Sequence, residues 1–346
     1  YDDKLVISGG FDQILGAGIR SFGHWNGASW IGMGVNPGWL AGALRPAHGL
    51  LYAATSGSSR PLSRWNGHNW AFIPEVTALG PTVSLSSYGG NLLVVGNVLI
   101  SNVPGERPVA AWTGTQWLTF GSDLVGQAVS AVEYQGDLVV SGSSFLRLPS
   151  DSSARGIFRY DGNAWHAWPV SLSSSGILAV YQGKLLVGSS DVRDMGLMSY
   201  GALAQWEGDH WEKVGGGISA AGVSGGGVSV LKAYKNSLIV GGAFNLAGGN
   251  PVSNIVRWDG SAWHSLGGGV SGGRVVDVQQ FHDELVAIGE FTKAGGQISA
   301  YFARWTDNPT PWVAVSPEST PVNEGLTLTL SAAAASDYAN VSYQWK

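Results

Sequence analysis

The chain has 346 residues, of which 12% are charged, 52 are glycine and 16 are tryptophan, and its formal net charge is −5. The few charges are scattered, and no basic stripe could neutralise a run of phosphates, which excludes nucleic acid as an expected partner. The chain contains no cysteine, so disulfides and thiolate metal sites are excluded, and no apolar stretch is long enough to span a bilayer.

One short motif recurs along the chain and organises it. The motif is an aromatic residue, a small polar or acidic residue, glycine, two variable residues and tryptophan, and successive copies begin 40 to 52 residues apart. This period is typical of four-stranded propeller blades, so we assign the motif aromatics a structural role. They are Trp25 and Trp30, Trp65 and Trp70, Trp112 and Trp117, Tyr160 and Trp165, Trp206 and Trp211, Trp258 and Trp263, and, in a stretched seventh copy, Trp305 and Trp312.

Each repeat predicts four short strands, here called a, b, c and d. In the sixth repeat we expect them over residues 228–234, 237–244, 254–258 and 262–267, which are rich in apolar and β-branched residues. Asn-Gly and Asp-Gly dipeptides predict tight two-residue hairpins between strands c and d, with positive φ at both positions. These dipeptides are residues 26–27, 66–67, 161–162 and 259–260.

The number of repeats predicts the architecture. One such sheet cannot bury both of its faces, so the repeats must pack on each other in a ring or in a solenoid. Seven copies favour an all-β, seven-bladed β-propeller of four-stranded antiparallel blades, because a ring also protects the sheet edges. The predicted propeller domain is residues 1–316, with repeats at about 1–40, 41–78, 79–126, 127–174, 175–224, 225–272 and 273–316.

The repeat resembles a known family. A strand b that ends in glycine, an aromatic followed by Asp, Asn, Glu or Thr in strand c, and a tryptophan opening strand d are similar to the kelch repeats. The blocks at 238–244, 247–249 and 255–260 resemble the kelch-like repeats of large bacterial secreted and surface proteins. The resemblance covers residues 1 to about 316. It implies a propeller and does not imply a particular activity, since propellers host unrelated functions.

The tail at 317–346 differs from the repeats. It resembles the opening strands of a bacterial immunoglobulin-like domain, with Trp345 as the core tryptophan of the third strand. Thirty residues are too few for such a sandwich, so we expect an incomplete domain and a polypeptide that continues. The first repeat lacks strand a, because Tyr1 aligns with Tyr134 and Tyr181 at the end of that strand.

The titratable residues do not predict a catalytic or metal site. None of the seven histidines is paired at metal-ligand spacing, and a copper site of the galactose-oxidase kind would need a cysteine. We expect no catalytic residue, no metal and no cofactor. A row of arginines precedes the first motif aromatic, and we expect it to form hydrogen bonds between blades or to stack on a neighbouring tryptophan. The row is Arg64, Arg159, Arg257 and Arg304.

The loops predict where a ligand would bind. The a–b and c–d turns lie at one end of each antiparallel sheet, and the b–c loops and the connections between blades lie at the other. The second set is variable, and binding groups concentrate on variable loops held by a rigid scaffold. The candidate ligand-binding residues there are Trp39, Arg107, Arg155, Arg193 and Tyr200.

These observations favour a binding or display module over an enzyme. We expect a secreted or cell-surface part of a longer bacterial multidomain protein, with a role in adhesion. Its partner would be a glycan, a carbohydrate polymer of a surface or a surface protein, or further copies of itself. Two alternatives remain open: a structural subunit or spacer of a surface assembly, and a hydrolase or lyase with its site in the channel mouth.

Overall fold

The computed structural model describes residues 1–10, 14, 18–34, 41–55, 61–78, 83–142, 145–151, 156–193, 198–220, 222 and 226–306. The described chain forms two compact units, one over Tyr1–Val214 and one that begins at Gly215. In these ranges every regular element is a β-strand and every strand pair is antiparallel. The prediction of an all-β protein built from antiparallel sheets, many of them four-stranded, is confirmed for the described residues.

The first unit contains five successive sheets. The first is β1 (Leu5–Ser8), β2 (Phe22–Trp25) and β3 (Trp30–Gly32), and the second is β4 (Ala41–Ala47), β5 (Leu50–Thr55), β6 (Leu62–Trp65) and β7 (Trp70–Phe72). The third is β8 (Val76–Ala78), β9 (Ser84–Tyr88), β10 (Asn91–Ile100), β11 (Arg107–Trp112) and β12 (Trp117–Thr119). The fourth is β13 (Ala128–Tyr134), β14 (Asp137–Gly142), β15 (Ile157–Tyr160) and β16 (Trp165–Ala167). The fifth is β17 (Ser171–Leu172), β18 (Ile177–Tyr181), β19 (Lys184–Arg193), β20 (Ser199–Trp206) and β21 (Trp211–Lys213).

The second unit contains two larger sheets and two small ones. Its strands are β22 (Ile218–Ser219), β23 (Gly227–Tyr234), β24 (Ser237–Ala243), β25 (Leu246–Ala247), β26 (Asn250–Pro251), β27 (Ile255–Trp258), β28 (Trp263–Ser265), β29 (Val270–Ser271), β30 (Val275–Phe281), β31 (Glu284–Gly289), β32 (Lys293–Ala294), β33 (Gln297–Ile298) and β34 (Phe302–Thr306). The sixth sheet is β23-β24-β27-β28, and the seventh is β30-β31-β34. Strands a, b and c of the sixth repeat agree with the prediction to within one residue at each end, whereas strand d is three residues long.

The hydrophobic core lies between successive sheets. One cluster joins Val109 of the third sheet to Phe158 and Trp165 of the fourth, and all three side chains are buried. In the second unit, Ile239 of the sixth sheet and Leu285 of the seventh belong to a cluster of the same kind. Within the first unit the third sheet buries one face against the second sheet and the other face against the fourth, as expected for a sheet that cannot bury both faces alone.

The first strands of neighbouring repeats lie side by side. Strand β9 contacts both β4 and β13, and β13 also contacts β18; in the second unit, β23 contacts β30. Tyrosines at the end of strand a fix this arrangement, because the hydroxyl of Tyr88 donates to the carbonyl oxygen of Gly136 at 3.0 Å and that of Tyr234 donates to the carbonyl oxygen of Asp283 at 2.7 Å. Each bond links strand a of one repeat to the a–b turn of the next.

The segment after strand d also joins neighbouring repeats. In the first unit, β8 pairs with the far end of β10, and β17 pairs with the far end of β19. In the second unit, β29 pairs with β32 of the seventh repeat. The sequence did not predict these strands, because they are two or three residues long and their partners come from another repeat.

The c–d turns differ from the prediction. The first turn residue after the aromatic has no positive φ, and only the glycine does, at 96° for Gly27 and 101° for Gly260. The side chain of the Asn or Asp before this glycine shapes the turn. In the sixth repeat, Asp259 Oδ1 accepts hydrogen bonds from the backbone N–H groups of Ser261 and Ala262, both at 2.8 Å. The Asn or Asp is selected as a hydrogen-bond acceptor and not for its tolerance of left-handed backbone.

The two motif aromatics face each other across these turns. Trp258 lies directly opposite Trp263 in the strand register, with ring centroids 4.8 Å apart. Tyr160 and Trp165 form the same pair at 5.2 Å. Such cross-strand aromatic pairs add stability beyond the area they bury. The second aromatic of the seventh copy, Trp312, and the tail at 317–346, which the sequence predicts to open an immunoglobulin-like domain, lie outside the described residues.

Candidate functional site

The end of each sheet where strand b runs into strand c is the end that the variable loops occupy, and it is called the b–c end below. Strand d finishes at the same end, because the four strands alternate in direction. Since the segment after strand d pairs with the next repeat near its b–c loop, the b–c ends within one unit lie on the same side. This topology supports the expected grouping of the loops within each unit.

A groove of about 560 Å³ lies at the b–c end of the second unit. Its walls come from the b–c segment of the sixth repeat, the connection to the seventh repeat and the residue that follows β31. The lining residues are Ala243, Phe244, Asn245, Val252, Ser253, Asn254, Val270, Ser271, Gly272, Gly273, Arg274 and Glu290. Phe244 and Val270 are buried and contribute apolar surface to the lining. The amides, hydroxyls and charged groups supply a polar share of comparable size.

Asn254 fixes the shape of the groove. Its Oδ1 accepts the backbone N–H of Phe244 at 3.0 Å, and its Nδ2 donates to the carbonyl oxygens of Val270 and Gly273, both at 3.1 Å. One side chain thereby ties the b–c segment of the sixth repeat to the connection with the seventh. Asn254 has a φ of 59°, in the left-handed region that Asn tolerates better than most residues.

An ion pair forms the charged wall of the groove. Arg274 Nη2 lies 2.9 Å from Glu290 Oε1, and the two side chains are 53% and 61% exposed. Because both side chains are exposed, they are accessible to a polar ligand. An exposed pair of this kind also contributes little to stability. Sequence reasoning missed them, although a signal existed: Val275 opposes Gly289 in the a–b hairpin, which places the preceding and following charged residues side by side.

Two of the five predicted binding residues, Arg193 and Tyr200, lie on the paired strands β19 and β20 of the fifth sheet. Arg193 Nε lies 2.5 Å from Asp191 Oδ2, and the Ser199 hydroxyl donates to the other oxygen of the same carboxylate at 2.5 Å. Tyr200, the next residue, is half-buried and packs against the hydrophobic cluster between the fourth and fifth sheets. Arg193 and Ser199 therefore share one carboxylate, while part of Tyr200 serves the core.

The third predicted residue, Arg107, lies at the b–c end of the third sheet. Its Nη1 donates to the carbonyl oxygen of Glu106 at 2.8 Å, and Asn97 Nδ2 donates to the Glu106 carboxylate at 2.9 Å. Within the described ranges, Arg107 Nε is buried without a hydrogen-bond partner. The other two predicted residues, Trp39 and Arg155, lie outside the described residues.

Three members of the arginine row, Arg159, Arg257 and Arg304, bond to strand b of their own sheet. Arg159 Nε lies 3.4 Å from Asp137 Oδ2, Arg257 Nη1 donates to the Ser237 hydroxyl at 3.3 Å, and Arg304 Nε donates to Glu284 at 2.7 Å. In each case the partner is the first residue of strand b. The expected inter-blade role is wrong for these three, because strand c lies beside strand b and the long side chain reaches along it to the turn.

Histidine and aspartate form a recurring pair at the opposite, c–d turn. His166 Nε2 lies 2.8 Å from Asp161 Oδ2, and His264 Nε2 lies 2.5 Å from Asp259 Oδ2. Backbone N–H donors of the turn, followed by the histidine, hold the pKa of each aspartate well below its usual range. Hydrogen bonding within the turn accounts for these shifts without a catalytic role.

Asp277 is a half-buried carboxyl group on strand a of the seventh repeat. Burial raises its pKa above the ordinary value of 3.8, and the hydrogen bonds from Gln279 and from the Val278 backbone oppose that shift, as does the charge of Lys232. Lys232 Nζ in turn donates to Gln279 Oε1 at 2.7 Å, which connects strands a of the sixth and seventh repeats.

Two other kinds of feature are absent from the described ranges. No group of three or more His, Cys, Asp or Glu residues is placed to hold a metal ion there. No helix in the part of the chain that the structure describes is long and apolar enough to cross a membrane.

Among solved structures, the chain is similar to the extracellular domain of a protein described as the hybrid two-component system BT4673 from B. thetaiotaomicron, with 10% identity and a TM-score of 0.54. The match covers 85% of this chain and 36% of that one, so the chain spans about a third of that structure. At this identity the likeness concerns the fold alone.

Two further matches are YjhT, 15% identical over 68% of this chain and 87% of that one, and the computationally designed Ika8 protein, 13% identical over 82% and 77%. Both have a TM-score of 0.41, which is too low to support an argument. No protein-family model matches the chain, and no curated protein sequence matches it.

Proposed function

We propose that the repeats form a seven-bladed, kelch-like β-propeller. Its support is the succession of sheets in the described residues, seven of which contain motif aromatics, together with the contacts between the first strands of consecutive repeats. A ring of such sheets would cover both faces of every repeat, including the first strand of each. The domain division at residue 316 belongs to the same proposal.

We further propose that this domain is a binding module of an extracellular or cell-surface protein and not an enzyme, and that it recognises a glycan or another hydrophilic surface polymer. The observation that carries the proposal is the groove of mixed polar and apolar lining at the b–c end, with the accessible Arg274–Glu290 pair on a wall fixed by Asn254. Binding sites combine a largely preformed concave surface with a few placed polar groups. The similarity in fold to an extracellular domain is compatible with the proposed location.

The test is binding of the whole chain to an array that carries both oligosaccharides and surface proteins. We expect binding to immobilised oligosaccharides. The double variant Arg274→Ala/Glu290→Ala should bind at least about tenfold more weakly, since about 1.4 kcal/mol of lost contact gives that factor.

The matched control is Arg304→Ala/Glu284→Ala. It removes an ion pair from the same sheet at its opposite end, and it should bind like the wild type. Equal binding by the wild type and the Arg274→Ala/Glu290→Ala variant, both folded, would contradict the proposed site.

A further inference from the structure

In four repeats the residue directly before strand c has a positive φ, in the left-handed region. The carbonyl oxygen of this residue accepts a hydrogen bond from the backbone N–H of the glycine at the end of strand b. The N–H of Gly242 donates to the carbonyl oxygen of Asn254 at 2.9 Å, and the N–H of Gly289 donates to that of Tyr301 at 3.1 Å. The residues at this position and their φ angles are Ser21 at 61°, Gly156 at 93°, Asn254 at 59° and Tyr301 at 68°. Glycine and asparagine tolerate this conformation, whereas a bulky side chain is strained in it.

Tyr301 is strained without the compensation of burial. Its side chain is 63% exposed, and Ile298, three residues earlier, is 56% exposed. In the sixth repeat the equivalent Asn254 ties two segments together, and a tyrosine cannot repeat those amide bonds. Strain that the core does not offset is a feature of functional sites. Conformation and exposure thus point independently to the same residue.

The backbone of Tyr301 places it beside the groove. Its N–H donates to the carbonyl oxygen of Phe291 at 2.8 Å, and its carbonyl oxygen accepts the N–H of Gly289 at 3.1 Å. These two bonds bracket Glu290, the acidic member of the charged wall. The exposed ring and the ion pair therefore belong to adjacent strands at the same b–c end.

We propose that Tyr301 and Ile298 form an apolar platform on which a sugar ring of a glycan ligand stacks, beside the Arg274–Glu290 wall. The proposal rests on the proposed binding function and names the ligand class. A pyranose ring presents a C–H face that suits an aromatic plane, and hydroxyl groups that suit a guanidinium and a carboxylate. Two exposed apolar side chains next to charged ones are too few for the apolar centre of a protein interface.

The experiment uses native gels that contain mannan, galactan, xylan or β-glucan, with the whole chain as the migrating species. Wild type and Tyr301→Phe should be retarded by at least one of these polysaccharides, with affinities that agree within about twofold, because both keep the aromatic plane. Tyr301→Gly should bind about tenfold more weakly or not at all. Its Tm should rise by about 2 °C, because glycine relieves the left-handed strain.

Opposite changes in stability and binding distinguish a ligand platform from a packing residue. A lower Tm for Tyr301→Gly would show that the ring packs structurally, and unchanged retardation would show that it does not touch the glycan; either result overturns the inference. Should Tyr301→Gly fail to fold, Tyr301→Asn takes its place, because asparagine occupies the equivalent position 254.

The inference and the proposed function can fail separately. Loss of binding in Arg274→Ala/Glu290→Ala with full binding in Tyr301→Gly would leave the groove as the site and remove the platform. If no polysaccharide retards the wild type while the array shows binding to surface proteins that Arg274→Ala/Glu290→Ala loses, the glycan class is wrong and the groove is a site for a protein partner. If neither pair of residues affects binding, both proposals fall.

Discussion

The indole N–H of Trp263 donates to the carbonyl oxygen of Gly215, 2.8 Å away, and so joins strand d of the sixth repeat to the segment that enters that repeat. Trp165 makes the same kind of bond to Phe120 at 2.6 Å, and Trp70 to Met33 at 3.1 Å. In each case the acceptor lies after strand d of the preceding repeat. In these three repeats the second motif tryptophan contributes a hydrogen-bond donor as well as its size, whereas the indole nitrogens of Trp117 and Trp211 are buried without a partner in the described residues.

Substitution of the motif tryptophans should separate these two contributions. Trp165→Phe keeps most of the ring volume and leaves the Phe120 carbonyl without its donor, so we expect a loss of about 1 kcal/mol in the free energy of unfolding. Trp258→Ala empties a buried position, 9% exposed, and should cost about 3–5 kcal/mol. Urea unfolding followed by circular dichroism measures both. Leu118→Ala, at a 40% exposed position of strand d, is the control, and a Trp258→Ala variant as stable as this control would be inconsistent with the packing.

The glycine that ends strand b should be intolerant of any side chain. A Cβ on Gly242 would lie 2.1 Å from the carbonyl oxygen of Gly227, and a Cβ on Gly142 would lie 2.4 Å from that of Gln127. We expect Gly242→Ala to destabilise the fold by several kcal/mol, because the clash is with backbone. Gly32→Ala, where the nearest atom is 3.8 Å away, should change Tm little. Thermal unfolding of the two variants decides the point, and equal Tm values would refute the close approach.

Asp277 should make stability depend on pH in a defined direction. Because burial raises its folded-state pKa, the folded chain holds this proton more tightly than the unfolded chain, and ionised Asp277 lowers stability at neutral pH. Asp277→Asn should therefore raise Tm at pH about 7. The gain should shrink as the pH falls through the raised pKa and vanish below the ordinary value of 3.8. Asp283→Asn, at an exposed turn position, is the control; a gain that persists at low pH would indicate a cause other than ionisation.

The aspartate of the c–d turn should show the opposite dependence. Hydrogen bonds hold the pKa of Asp161 below 3.8, so the stability that its charge contributes is present above that pH and is lost as the pH falls through the lower, folded value. Asp161→Ala removes the acceptor of two backbone N–H groups and should lower Tm at neutral pH. Asp161→Asn keeps an acceptor, as Asn26 does in the first repeat, and should lower it less. Scanning calorimetry across the acid range tests this order, and an Asn variant less stable than the Ala variant would contradict it.

Local patterns determined the type and the order of the strands. The Trp-x-Gly motif and the apolar, β-branched runs predicted four strands for the sixth repeat, and the structure has them at 227–234, 237–243, 255–258 and 263–265. Strand formation of this kind depends on neighbours in the chain and on turn residues, and both can be read from a single repeat. The seventh repeat shows three of its strands in the described residues.

Contacts between segments far apart in the chain were decided by the tertiary structure. The groove exists because Asn254 bonds to Val270 and Gly273, and a bonding partner 16 or 19 residues away has no local signature. The sequence placed the candidate site at the variable loops and named Arg193 and Tyr200, which lie on the paired strands β19 and β20, but it missed Arg274, Glu290 and Tyr301. The left-handed φ of Tyr301 arises where the end of strand b meets the start of strand c, and composition cannot reveal such strain, because tyrosine is otherwise an ordinary β-strand residue.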